Sequence, residues 1–352
     1  KQSLARTGPP KERLEANAKA VIDIETAIAR KSQSLADLNN PFRNYVPVPV
    51  ADAAKRYRNL QLAQFLEAQG VKDDLVSLPD PALFAELDAM IGRVKPEQWK
   101  AYLRWRVGDA MAPYLSRSFR DASFGFRGQV LAGQSAPAPR WQQVIEAINT
   151  AAGPMLGHEY ANRYLTPEER RRATVVADEV RDALVAAVEG NTWLSAQAKA
   201  EAQAKLKALK IEVGTPRRDL DYTVQPMGRG SFGSNMLIAS TWHHREEMRR
   251  IGRGNAERRW DVLPQQPALA YDLAHNRLIV TAAVLQPPVL DMTQDAAGQY
   301  GSFGALVAHE LGRSVDAKGR LVDAKGDVRT WWTPADDAAA DGLGRRFQRQ
   351  AD

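Results

Sequence analysis

The chain has 352 residues, 44% of them hydrophobic and 26% charged, with no cysteine and a formal net charge of +6 from 48 basic against 42 acidic residues. That is a globular composition with length for two domains, and it excludes disulfides, thiolate metal sites and a cysteine nucleophile. The charges are interspersed, which argues only weakly for anionic partners, and no apolar stretch approaches the ~20 residues of a membrane helix.

Up to about residue 210 the pattern predicts helices. Leu14, Ala18, Val21, Ile24 and Ile28 form one apolar stripe, with Lys19, Asp23 and Arg30 off it. A second helix is expected from about Asp52 to Gln69, ended by Gly70 in a left-handed cap. Pro96 opens a third, carrying Trp99, Tyr102, Leu103 and Trp105, because a first-turn proline gives up only an N–H that would be unpaired anyway. Thr166-Pro-Glu-Glu opens a fourth as a capping box. Ser195 caps a fifth, over 196–209, in which Glu201 and Lys205 are four apart and so suited to an ion pair. The segment 134–139 reads as an exposed turn and 214–233, rich in Gly, Pro and Arg, as a longer loop.

Beyond that loop the character changes. Arg277-Leu-Ile-Val-Thr-Ala-Ala-Val-Leu285, stopped by Gln286-Pro-Pro288, predicts a strand at a sheet edge, and 302–315 predicts a helix. The sequence starts at Lys1 without an initiator Met, so a leader or larger amino-terminal portion is expected to have been removed.

On the last of these helices stands His309-Glu310-Leu-Gly-Arg313. Two histidines four apart put both imidazoles on one helix face toward a zinc ion, with the Glu after the first taking a proton from metal-bound water. Here Arg313 stands at the second histidine's place. A His-Glu pair alone is most often a structural accident, so the flanking residues decide its meaning.

Those flanks, Leu285-Gln-Pro-Pro288 and Tyr300-Gly-Ser-Phe-Gly-Ala-Leu-Val-Ala-His-Glu-Leu-Gly312, resemble the neprilysin and endothelin-converting-enzyme family of zinc metalloendopeptidases. The resemblance continues through Asp316, Gly319, Asp323, Gly326 and Trp331-Trp-Thr-Pro334. It reaches back to Asp23-Ile-Glu-Thr26, Phe119-Arg-Asp-Ala122, Pro139-Arg-Trp141 and Trp193-Leu-Ser195, and so covers most of the chain. It implies a mainly α, two-lobed fold with a small β element beside the zinc-motif helix. The expected division is a helical cap lobe over 1–213 and a partial catalytic-type lobe over 214–352, containing the strand 277–285 and the degenerate helix 302–315. By the same resemblance Glu310 takes the catalytic place and His309 the one retained metal place, while Ala282, Ala283 and Tyr271 face substrate. The third zinc ligand of the family, a Glu some tens of residues beyond Trp332, is expected outside this sequence.

Two departures bear on function. A guanidinium has no lone pair for a metal, and its charge repels a dication, so Arg313 breaks coordination and is placed to pair with Glu310 three residues before it. The family's substrate-gripping Asn-Ala-Tyr-Tyr aligns with Ala268-Leu-Ala-Tyr271, which lacks the Asn. The expectation is a pseudo-peptidase that holds a peptide or protein partner in its cleft, with zinc weak or absent. The alternative, an active zinc endopeptidase completed by segments or a partner chain outside this sequence, stays open. Export to the periplasm or beyond, and association with an active paralogue, go with the resemblance.

Other motifs have simpler readings. His243-His244 with Glu246 and Glu247, His158 with Glu159, and His275 offer ligand types but read as surface or packing residues. Gly228-Arg-Gly-Ser-Phe-Gly233 matches a dinucleotide-loop spacing without a strand before it, no Gly-x-Ser-x-Gly elbow is present, and Arg170-Arg-Arg172 reads as a solvated helix face. A nucleic-acid partner is therefore not expected.

Overall fold

A computed structural model describes residues 2–217, 221–252 and 259–351. These fall into two units. One is Lys1–Asn39, Arg43–Ala151 and Tyr222–Arg253; the other is Asn40–Phe42, Ala152–Asp221 and Gly254–Asp352. The expected single cut at 213/214 thus meets a chain that crosses between units more than once. Part of the predicted 214–233 loop lies outside the described residues.

In the first unit, α1 (Leu14–Lys31) buries Ala18, Val21 and Ile24, the predicted stripe. The helix expected over 52–69 is two, α2 (Val50–Arg56) and α3 (Leu62–Ala68), flanked by the short antiparallel pair β1 (Pro47–Pro49) and β2 (Leu75–Ser77). The break has a local cause. Asp88 on α4 (Pro81–Arg93) accepts the backbone N–H groups of Asn59 at 2.7 Å and Leu60 at 3.1 Å, donors that a continuous helix would need for itself. Gly70 takes the left-handed φ of 74° expected of it. Helix α5 (Pro96–Met111) starts at Pro96 as predicted, and its Tyr102 and Trp105 pack with Ala18 and Val21.

The chain leaves the first unit inside α6 (Arg140–Tyr164), where Ala152 departs from helical geometry (φ −153°, ψ 33°) two residues before Pro154. A proline ring crowds the carbonyl four residues back and supplies no N–H, which accounts for the kink. In the second unit α7 (Pro167–Glu189) opens on the capping box, with Thr166 Oγ1 accepting from Glu169 N at 3.2 Å and Thr166 N donating to Glu169 Oε2 at 2.7 Å. Ser195 caps α8 (Ala196–Ala208). The pair expected between Glu201 and Lys205 does not form. Glu201 pairs with Arg329 at 2.9 Å, while Lys205 is turned inward and only 1% exposed.

Strand β3 (Lys210–Gly214) follows, and the chain then returns to the first unit for α9 (Phe232–Arg250), capped by Ser231. Back in the second unit come β4 (Leu269–Asp272) and β5 (Arg277–Thr281), giving the sheet order β3-β5-β4 with β5 parallel to β3 and antiparallel to β4.

The predicted edge strand over 277–285 is corrected here. The ladder runs only through 281 and forms the central strand, with every residue buried, while Ala282–Leu285 close into a 3₁₀ turn. An unbroken apolar run is what a strand covered on both faces requires, and the two prolines lie past the ladder and do not constrain its place.

The helix predicted over 302–315 starts earlier and ends earlier. Ala296–Gln299 leads into a π turn at Tyr300–Gly304 and then α10 (Ala305–Gly312). Phe303, Val307 and Leu311 sit fully buried with Val176 and Ala173 of α7 and Leu278 and Val280 of β5, so the zinc-motif helix is held by this unit's core. Trp331 and Trp332 form a second cluster with Ala198, Ala202 and Leu206 of α8, after which α11 (Pro334–Ala351) begins.

Candidate functional site

The site is built where α10 runs beside β4. Leu311 and Val307 anchor one face of the helix in the core, which leaves His309 on the opposite face with its side chain 74% exposed and Glu310 at the margin with 11%. The helix ends by tightening: Arg313 N donates to Glu310 O at 3.2 Å and Ser314 N to Leu311 O at 3.0 Å, both three-residue closures. In that geometry residues three apart stack, so Arg313 lies over Glu310 and not over His309.

The Glu310 carboxylate carries a donor group on each oxygen. Its Oε2 accepts the backbone N–H of Tyr271 at 3.1 Å, and Arg313 Nη1 stands 3.3 Å from Oε1 and 3.5 Å from Oε2. His309 Nε2 is 3.9 Å from Oε1. In an antiparallel pair alternate residues turn their polar groups away from the partner strand. The bond from Tyr271 N to Glu310 shows that Tyr271, and with it Leu269, faces outward from β4. Since β4 is an edge of the sheet, the outward-facing backbone of this site belongs to Leu269 and Tyr271.

Of the three residues predicted to face substrate, only Tyr271 is at this edge. Ala282 is fully buried in the core and Ala283 N donates to Pro264 O at 2.9 Å, so both are corrected to structural positions in the turn after the central strand. The Tyr271 ring is enclosed. Its hydroxyl donates to Asn276 Oδ1 at 2.9 Å, and burial, helped by Asp272 and Asp316, pushes the phenol well above its usual range.

Lys205 was not predicted here, because i,i+4 spacing read it as a surface partner of Glu201. Its Nζ donates to the carbonyls of Gly319 at 2.8 Å and Val322 at 2.6 Å and lies 5.9 Å from the Tyr271 ring centroid. Burial draws its pKa down to about 8, against the opposing pull of Asp323 and Asp316. Beyond it Asp272 accepts from Arg277 Nε at 2.9 Å and contacts His275 Nδ1 at 2.8 Å. Burial alone would raise the Asp272 carboxyl, but His275 and Arg277 outweigh it and hold it below the usual range. His275 therefore completes the β4–β5 turn.

The donor set does not fit zinc. His309 is a competent ligand, but its helical partner position carries a guanidinium, and the adjoining carboxylate is spent on that guanidinium and on Tyr271. Among the described residues no three His, Cys, Asp or Glu side chains gather where they could hold a metal. The other histidines are placed elsewhere: His243 Nε2 lies 3.2 Å from Ala151 O and His244 Nε2 lies 2.6 Å from Gln69 Oε1, and Glu159 beside His158 pairs with Arg163 at 3.5 Å. Ser231 of the glycine-rich segment is the cap of α9, and the described residues just before it, Tyr222–Val224, form a 3₁₀ turn and not a strand.

The neutral endopeptidase of Lactobacillus helveticus is 24% identical over 297 residues, 84% of this chain and 46% of that protein. Neprilysin-3 of Drosophila melanogaster is 23% identical over 331 residues, 89% of this chain and 42% of its own length. The chain thus spans about half the length of the curated relatives it matches. A crystal structure of PEPO from Lactobacillus rhamnosis superposes with a TM-score of 0.88 at 22% identity, covering 97% of this chain and 55% of that one. The Mycobacterium tuberculosis zinc metalloprotease ZMP1 in complex with inhibitor gives 0.87 at 23%, covering 98% and 53%. No helix among the described residues is long and apolar enough to cross a membrane. The family models of peptidase family M13 match residues 1–216 and 270–349, the second taking in all but the first residue of β4, and β5 and α10. With its sequence matched at both ends and its fold shared, this chain belongs to peptidase family M13, the neprilysin family of zinc metallopeptidases.

Proposed function

We propose that this chain is a pseudo-peptidase of the neprilysin type, which holds an extended peptide on the outer edge of β4 without hydrolysing it. The observation that carries the reading is the double engagement of Glu310 by Tyr271 N and Arg313 Nη1. A general base directs a lone pair at the water it deprotonates, and here a backbone N–H and a guanidinium already lie on the two oxygens of the carboxylate. The edge strand supplies what peptide capture needs, since its outward N–H and C=O groups can pair with an added strand whatever its side chains.

The test is metal content together with turnover. After incubation of the 352-residue chain with zinc and exhaustive dialysis, elemental analysis is expected to find substoichiometric metal, and a mixed fluorogenic peptide pool is expected to stay intact. A full equivalent of zinc that disappears in His309→Ala sinks the proposal.

One observation favours a second reading. His309 is exposed and its ring makes no hydrogen bond to any described residue, so it stays available to a zinc whose remaining ligands come from a partner chain or further segments. On that reading the zinc-loaded chain cleaves peptides once the partner is supplied.

A further inference from the structure

We infer that Arg313 turns this site into a receptor for the free C-terminal carboxylate of a peptide; the inference rests on the proposed pairing of a peptide with the edge of β4. Three features of the site carry it.

The first is where pairing must stop. A peptide added to the outer edge of β4 can use the polar groups of Leu269, but the next outward N–H, that of Tyr271, is already held by Glu310 Oε2 at 3.1 Å. Backbone pairing cannot continue through an occupied donor. A continuing chain would have to turn away from the edge at that point, whereas a chain end need not.

The second is which chain end the charges select. Arg313 spends only Nη1 on Glu310, and its Nε and Nη2 make no hydrogen bond to any described residue, with the side chain 53% exposed. A guanidinium has five N–H groups in a planar fork, so it can hold Glu310 on one side and a second carboxylate on the other. An ammonium end would meet the like charge of the guanidinium and would share Glu310 with the two donors already on it. His309, 74% exposed on the neighbouring turn, offers one further N–H in either tautomer.

The third is the contrast with a metal. Zinc at this place would draw in and polarise a peptide carbonyl in mid-chain, whereas a guanidinium prefers full negative charge and planar bidentate geometry. The substitution therefore changes the class of ligand from an internal peptide bond to a terminal carboxylate, as a protease product carries. No bond is made or broken.

The experiment compares two libraries on the whole chain: N-acetylated random tetrapeptides with free C-terminal carboxylates, and the same tetrapeptides as carboxamides. Binding is read by titration calorimetry or fluorescence polarisation. The acids are expected to bind roughly tenfold or more tightly than the carboxamides, the size of one charge-assisted hydrogen-bonded pair. Arg313→Gln should bring the ratio to about one while leaving carboxamide affinity within about twofold, and Arg313→Lys, which keeps charge without the fork, should lie between. Circular dichroism melts of both variants guard against misfolding, and the acid-to-amide ratio is a readout that a general loss of structure does not reproduce. Equal binding of acids and carboxamides to the parent chain, or a ratio that survives Arg313→Gln, overturns the inference and leaves the edge-strand reading standing. Failure of both libraries to bind overturns both.

Discussion

Arg313 holds its Nη1 3.3 Å from Oε1 of Glu310, and through that carboxylate it is tied to the backbone of Tyr271 on another element. The pair therefore acts as a tether between the end of α10 and strand β4, in the place where the neprilysin family's zinc motif puts metal and base. The two members of the tether are not equivalent. Arg313 is half in solvent, Glu310 nearly buried.

That asymmetry predicts unequal costs. Removing the arginine in Arg313→Gln leaves Glu310 with its backbone donor and a nearby solvent, and should destabilise the chain by about 1 kcal/mol. Glu310→Ala leaves Tyr271 N–H and Arg313 both without a partner and should cost about 1–2 kcal/mol. Urea titration with unchanged slope measures the difference. If Glu310→Ala is no more damaging than Arg313→Gln, the tether to β4 has no energetic content.

Lys205 makes a second prediction about the same strand. Met keeps the length of the side chain but donates nothing, so Lys205→Met leaves Val322 O with Trp331 Nε1 at 3.2 Å and Gly319 O with the longer bonds from Trp331 Nε1 and Val322 N, both at 3.3 Å, and should cost about 1–3 kcal/mol at pH 7. The pH dependence follows from burial. The folded-state pKa is about 8, below the ~10.4 of an unfolded lysine, so between those values the unfolded chain holds a proton that the folded chain has released. Where the unfolded state binds more protons, stability rises with pH. The parent should therefore gain about 1–3 kcal/mol over Lys205→Met between pH 8 and pH 10.5. Chemical denaturation at both ends of the window checks it; a gap that narrows as pH rises would falsify the assignment.

These two residues also mark the reach of sequence reasoning. The caps at Thr166 and Ser195 and the first-turn proline at 96 were legible because each is local chemistry: a side-chain oxygen or a missing N–H acting within three residues. Arg313 was legible for the same reason, its partner being three residues away. Lys205 was misread because the same local rule offered Glu201, and only the loop from Gly319 to Val322, far along the chain, draws it inward. The edge of the sheet was misread for a related reason. Whether β5 is central depends on β3, whose Lys210-Ile-Glu-Val-Gly214 carries little strand signal, and on β4, whose Leu269-Ala-Tyr-Asp272 is short and mixed. Position in a sheet is decided by neighbours, so of the predicted Ala282, Ala283 and Tyr271 only Tyr271 lies on the edge strand.

The loop that receives Lys205 depends on one backbone conformation. Gly326 has φ of 89°, a region that side chains disfavour, and a Cβ there would lie 2.4 Å from Ala274 O. Neither the strain nor the clash can be relieved by rotating a side chain. Gly326→Ala should cost about 2 kcal/mol or more and lower the thermal midpoint accordingly. A melt within error of the parent would show that the Asp323–Asp327 turn can rearrange freely.

Asp336 supplies the acid-side counterpart to Lys205. It accepts four hydrogen bonds: from Ser195 N at 2.6 Å, Ser195 Oγ at 2.8 Å, Thr333 N at 2.8 Å and Thr333 Oγ1 at 2.7 Å. It thereby joins the start of α8 to the start of α11, where a carboxylate also suits the positive end of a helix. Burial works to raise its pKa, yet these donors outweigh burial and hold it at about 2. The unfolded value is ~3.9, so the stabilisation is fully present above that pH and is lost as pH falls toward 2. With allowance for solvent screening the contribution is about 1–2 kcal/mol. Asp336→Asn keeps one acceptor oxygen and replaces the other by a donor facing donors, so it should lose about that much at pH 7 and show a flatter stability curve between pH 4 and pH 2 than the parent. Parallel acid titrations followed by tryptophan fluorescence decide it, because Trp193 and Trp332, 5.4 Å apart by ring centroids, lie in the cluster this carboxylate closes. Identical acid limbs in the two proteins would remove Asp336 from the account of acid stability.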